Sequence, residues 1–138
     1  MHIHDSITPN YITDLENQIA TAPLLVSDGN VSEAALDCLL RLCGRHGVPV
    51  FYEPTCLRKA VKPLASPNVA SMTYCSPNLN ELMSMARTLP GFEKLPDVRE
   101  ITSSTLSHLA SLSVQLLQCY GIHVILLTLG RDGVLLTR

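Results

Sequence analysis

Charge, aromatic rings and basic clusters are all scarce in this chain. Asp, Glu, Lys and Arg make up 16% of its 138 residues, Trp is absent and Phe occurs twice. A net charge of −2 with no basic stripe excludes a protein that grips phosphate backbones, so no nucleic-acid partner is expected. No apolar run approaches the roughly 20 residues of a membrane helix, so no membrane partner is expected. The opening MHIHDSITPN has neither a basic start nor a long apolar run and does not read as a signal peptide. Cys38, Cys43, Cys56, Cys75 and Cys119 are odd in number and show no C-x-x-C spacing, which argues against a disulfide framework and a structural zinc site. Free thiols in mostly apolar segments fit a reducing compartment. The expectation is a cytoplasmic protein, with mitochondrial targeting of a longer parent left open. No serine or cysteine nucleophile is accompanied by a recognisable base motif.

What is abundant is apolar side chain, 46% of the total. That supplies a core for one domain over residues 1–138 and excludes disorder. So little charge also leaves apolar surface over for a partner or further chain.

The segments alternate in type. SITPNYITDLENQIA (6–20) reads as a helix capped by Thr8, with Pro9 in its first turn and Ile12, Leu15 and Ile19 on its inner face. APLLVSDGN reads as a buried strand and turn. VSEAALDCLLRLCGRHG is an amphipathic helix that starts at Ser32 and stops at Gly47. VPVFYEPT is a strand ended by Pro54, LRKAVKPLA a short helix, and residues 69–75 a weaker strand. LNELMSMARTL is a helix, PGFEKLPD a loop, and SSTLSHLASLSVQLLQCYG a long helix with a serine cap. IHVILLTLG is the most apolar strand, and RDG turns the chain into a last strand, VLLTR. Strands and helices in alternation, with continuously apolar strands, predict a parallel sheet covered on both faces. The last two strands are joined too closely for a crossover and must form an antiparallel hairpin. The fold expected is α/β, three-layered and Rossmann-like, with a mostly parallel sheet.

Ligands of such sheets sit outside the carboxyl ends of the strands. Four strands end in polar or turn-forming stretches: Asp28-Gly29-Asn30, Glu53-Pro54-Thr55, Ser76-Pro77-Asn78 and Thr128-Leu129-Gly130. Parallel strands would bring all four to one edge. Asn78 with Glu81 three residues on is the spacing of a capping box. The same amide and carboxylate oxygens suit hydrated Mg²⁺, and a helix N-terminus suits phosphate. The two readings are compatible. In TLGRDG, Gly130 and Gly133 supply positive φ for a turn. They also let a nucleotide lie against bare backbone, beside the Thr128 hydroxyl. His2 and His4 share a face of an extended chain, but with only Asp5 beside them they make a poor metal site. Met72, Met83 and Met85 are read as core, and His108 and His123 as structural.

SPNLNEL resembles the N-x-x-E motif of the ribokinase-like (PfkB) carbohydrate kinases, and VILLTLGRDGVLL resembles their nucleotide-binding strand–turn–strand. VPVFYEPT followed by RKA is similar to the strand that precedes N-x-x-E. The order and spacing agree, and the likeness spans the chain. IHDSITP, SDGN and YEPT…KA look most like the pseudouridine kinases, some of which are fused to a glycosidase. The resemblance implies phosphoryl transfer from ATP, with Mg²⁺, to the 5′-hydroxyl of pseudouridine or a related ribosyl substrate. It implies that Asn78 and Glu81 organise Mg²⁺ and its waters, and that Thr128, Gly130 and Gly133 border the nucleotide. Glu53 stands where the wider family more usually has Asp, with a water-mediated metal contact implied. Asp28 and Asn30 would face the sugar.

The family's glycine-rich sugar-binding segment and β lid, and the G-A-G-D motif whose Asp is the general base, have no counterpart in these 138 residues. The resemblance therefore implies a central fragment, with no catalytic residue of its own and inactive alone. A truncated form acting as a nucleotide-binding or interaction module is the alternative. A sheet so truncated is expected to expose an edge and to self-associate.

Overall fold

The computed structural model describes residues 3–138. Strands β1 (Leu25–Asp28), β2 (Val50–Glu53), β3 (Tyr74–Cys75), β4 (Val124–Thr128) and β5 (Val134–Thr137) form one sheet in sequential order. The first three pairings are parallel, and β4–β5 is antiparallel, with Leu126 opposite Leu136. The α/β class, the mostly parallel sheet and the terminal hairpin are as the sequence predicts.

The helices are α1 (Pro9–Asp14), α2 (Glu16–Ala20), α3 (Glu33–His46), α4 (Leu57–Ala60), α5 (Leu79–Ala86) and α6 (Ser103–Tyr120). Most follow local rules. Thr8 caps α1 through the Tyr11 amide, Ser32 caps α3 through Ala35, and Gly47 and Gly121 end α3 and α6 in the left-handed conformation. None of the described helices is long and apolar enough to cross a membrane.

Four details differ from the sequence reading. The first helix is two, broken at Leu15, and is preceded by a 3-10 turn over Ile3–Ser6. The cap of α6 is Thr102, whose Oγ1 accepts from the Thr105 amide, not a serine. The weak strand shrinks to Tyr74–Cys75 because Val69–Ser71 is a 3-10 turn wedged against two glycines. A Cβ on Gly44 would lie 2.3 Å from the Ser71 Oγ, and one on Gly121 would lie 2.9 Å from the Ala70 Cβ.

The fourth concerns the layers. One sheet face (Ser27, Val50, Tyr52, Cys75, Ile125, Leu127 and Thr137) is buried under the helices. The other carries Val26, Phe51, Tyr74 and Val124 in one register row, with Leu126 and Leu136 beside it. There Val26 is 68% exposed and Leu136 55%. Of the three layers, the described residues supply the sheet and one helical layer. The strands read as continuously apolar because both faces are apolar, though only one is covered.

Candidate functional site at the carboxyl ends of the strands

Parallel pairing of β1 to β4 brings all four predicted stretches to one edge, where they form two groups. The first is at β3, β4 and the hairpin. The capping box is complete: the Glu81 amide donates to Asn78 Oδ1 at 3.0 Å, and the Asn78 amide donates to Glu81 Oε2 at 2.8 Å. Asn78 is exposed, while Glu81 is 3% exposed. An isolated parallel bridge joins Asn78 to Thr128, and the Thr128 amide donates to the Pro77 carbonyl at 2.9 Å. The start of α5 is thus fastened to the end of β4. Gly130 and Gly133 follow with φ of 59° and 97°, values that favour glycine, and a Cβ on either would point into open space. A cavity of about 320 Å³ opens beside them, between Leu79, Ile101, Leu129 and the charged Arg99, Arg131 and Asp132.

The second group is at β1 and β2. Asp28 accepts from the Asn30 amide at 2.8 Å and from Asn30 Nδ2 at 2.7 Å. Burial works to raise the Asp28 carboxyl, but the two Asn30 hydrogen bonds, with the charges of His4 and Lys59, hold it below the ordinary carboxylate range. Lys59 Nζ donates to Asn30 Oδ1, and Lys62 Nζ donates to the carbonyls of Gly29 and Val31 at 2.7 and 2.6 Å. Desolvation, then the neighbouring Lys59 charge, lowers the Lys62 ammonium.

Glu53 bridges the two groups. Its Oε2 accepts from Ser76 Oγ at 2.7 Å and its Oε1 from the Thr55 amide at 3.3 Å. Thr55 itself has φ of 71°, costly for a β-branched residue. Its hydroxyl accepts from the Gly29 amide at 3.1 Å. Close packing leaves Gly29 no room for a side chain, since a Cβ would lie 2.4 Å from the Pro54 carbonyl oxygen.

The edge therefore gathers all eight predicted residues: Asn78, Glu81, Thr128, Gly130 and Gly133 in one corner, Asp28 and Asn30 in the other, and Glu53 between. Thr55 and Ser76 belong to the predicted stretches but were given no role of their own, and Lys59 and Lys62 were missed. The two lysines are three apart, which puts them on one side of a turn, but nothing local says that they clamp a loop some thirty residues earlier. Of the pair His2 and His4, His2 lies outside the described residues. Among those described, no group of three or more His, Cys, Asp or Glu could hold a metal ion.

No family model matches the chain. It is 30% identical over 142 aligned positions to the pseudouridine kinase of Arabidopsis thaliana, covering 97% of this chain and 36% of that protein. Among solved structures, ribokinase from Giardia lamblia superposes with a TM-score of 0.69 at 15% identity, over 96% of this chain and 37% of that one. Ribokinase from Arabidopsis thaliana, solved with ribose and ATP, gives 0.63 at 14% identity, over 90% and 34%. At such identities the superpositions speak for the fold, and the chain spans about a third of the length of each of these relatives. The chain thus resembles that pseudouridine kinase in sequence along nearly all of its own length, and it shares the fold of the ribokinases.

Proposed function

We propose that this chain forms the metal–phosphate corner and nucleotide border of an ATP-dependent kinase acting on the 5′-hydroxyl of pseudouridine or a related ribosyl substrate. The observation that carries the reading is the fastening of Asn78 to Thr128. It puts a helix N-terminus, an amide, a hydroxyl and two bare glycines around one point. Such a corner offers N–H groups and positive dipole to phosphate, and open backbone to a nucleotide. Mg²⁺ retains most of its waters and shares phosphate oxygens, so the few oxygens of Asn78, Glu81 and Glu53 suit it without a protein cage. Asp28 and Asn30, clamped by Lys59 and Lys62, present polar oxygens to the sugar. Pseudouridine enters through the sequence likeness to a pseudouridine kinase.

Phosphoryl transfer depends on positioning and charge neutralisation. No counterpart of the G-A-G-D motif, which the family resemblance makes the source of the base and anion hole, occurs in these 138 residues, so the chain alone is expected to transfer phosphate very slowly or not at all. A radiolabelled-ATP assay with pseudouridine checks this: brisk Mg²⁺-dependent product from the isolated chain overturns it.

One observation favours a second reading, a non-catalytic nucleotide-binding or interaction module. Glu81 is buried, and its Oε2 serves as the acceptor of a complete capping box. Glu81→Gln separates the two, because glutamine preserves the box and removes the charge. If the carboxylate organises Mg²⁺ and its waters, Mg-nucleotide affinity falls by about tenfold or more. If it only caps α5, affinity and melting temperature stay at the wild-type values.

A further inference from the structure

The turn after β1 carries a network that the metal–phosphate corner does not use. The Gly29 amide donates to the Glu53 carbonyl at 2.9 Å as well as to Thr55 Oγ1. Lys62 Nζ bonds to backbone, at the carbonyls on either side of Asn30. Lys59 Nζ bonds instead to the Asn30 side chain, at Oδ1. Lys59 is itself anchored. The hydroxyl of the buried Tyr52 donates to the Lys59 carbonyl at 2.8 Å, and a Cβ on Gly29 would lie 2.6 Å from the Lys59 Cβ. The ammonium therefore reaches Asn30 from a fixed base.

Asn30 is where the orientation is decided. Its side-chain amide has a donor end and an acceptor end, whereas an ammonium only donates. Lys59 thus holds Oδ1 on its own side and turns Nδ2 towards Asp28, where Nδ2 donates to Oδ2 at 2.7 Å. The reverse orientation would set N–H against ammonium and oxygen against carboxylate. The Asn30 backbone amide takes the other carboxylate oxygen, Oδ1, at 2.8 Å. Each oxygen keeps a second lone pair, and Nδ2 keeps a second N–H. Asp28 and Asn30 are both half-buried, so the pair stays accessible. We propose that Lys59 is a positioning residue: through Asn30 it sets the Asp28 carboxylate and the Asn30 amide as an acceptor–donor pair that reads two neighbouring hydroxyls of the ribosyl substrate. A hydroxyl both donates and accepts, so a vicinal pair can meet both groups at once. The inference rests on the proposed reading in which Asp28 and Asn30 face the sugar.

NMR titration of the purified chain with pseudouridine and with 2′-deoxypseudouridine tests it. The wild-type chain should bind pseudouridine about tenfold more tightly or better, because the deoxy compound leaves a half-buried polar group unpaired. Lys59→Met keeps the aliphatic stem and removes the donor. It should weaken pseudouridine binding until the two compounds bind alike, with binding of the deoxy compound unchanged. Loss of a merely structural clamp would lower the melting temperature or weaken both compounds together, and would leave their ratio as it was. A wild-type ratio in Lys59→Met therefore overturns the proposal, and the sugar-facing reading survives if Asp28→Asn still abolishes the preference. A preference that outlasts Asp28→Asn, or a wild-type chain that shows none, overturns that reading and the proposal with it. Asn30→Ala cuts the same link from its other end and keeps the test decisive if Lys59→Met folds poorly. A retained ratio there overturns the proposal as well.

Discussion

Gly29, through lack of room for a side chain, and Thr55, through a positive φ of 71°, hold the β1–β2 end of the edge in shape. Gly29 must be glycine because the backbone of Pro54 and the Cβ of Lys59 occupy the space a side chain would need. Gly29→Ala should therefore destabilise the chain by about 1–3 kcal/mol, the usual range for overpacking. Urea unfolding measures it, and a neutral result would mean that the loop relaxes freely. Asp37 makes a second residue-level prediction. Its carboxylate accepts from Ser66 Oγ and from Asn68 Nδ2, and these bonds hold it below its ordinary value of 3.8. The unfolded chain thus binds the proton more tightly than the folded one. The contribution is whole above about pH 4 and is lost as pH falls through the lowered folded value. Asp37→Asn should flatten that acid limb in a series of melting temperatures against pH. Caps such as Thr8, Ser32 and Asn78 were legible because a cap is a rule over three residues. The contacts of Thr55, Lys59 and Lys62 were not, because their partners lie 26 to 33 residues away.

At the scale of the element, α5 is where structure and proposed function share the same atoms. Asn78→Ala removes the acceptor for the Glu81 amide and should cost about 1 kcal/mol of stability. A thermal melt reads that loss, and no change would mean that another group takes the amide. The third strand shows the limit of pattern reading. Apolar residues from 69 to 75 suggest a strand, yet only two of them join the ladder. The preceding turn is set by its fit against Gly44 of α3 and Gly121 beyond α6, which no local window contains. Helix α6 was legible along its length, through its apolar period and Gly121. Its start was displaced by one residue because Thr102, Ser103 and Ser104 offer competing hydroxyls, and Thr102 supplies the bond.

For the molecule as a whole, the alternation of strand and helix was enough to read the class, the parallel pairings and the single edge that gathers the site. The number of covered faces was not legible, since a strand apolar on both sides looks the same whether or not a second helical layer lies over it. The low charge content was the surviving clue, and the exposed row through Phe51 and Tyr74 accounts for it. In the proposed function the corner joining Asn78 to Thr128 receives a magnesium-bound nucleotide. Calorimetric titration of the purified chain with ATP, in the presence and absence of Mg²⁺, tests it most directly. The expected result is saturable binding to one site per chain that weakens when Mg²⁺ is removed. No binding, or binding indifferent to Mg²⁺, would contradict it and leave the corner as a well-made helix start.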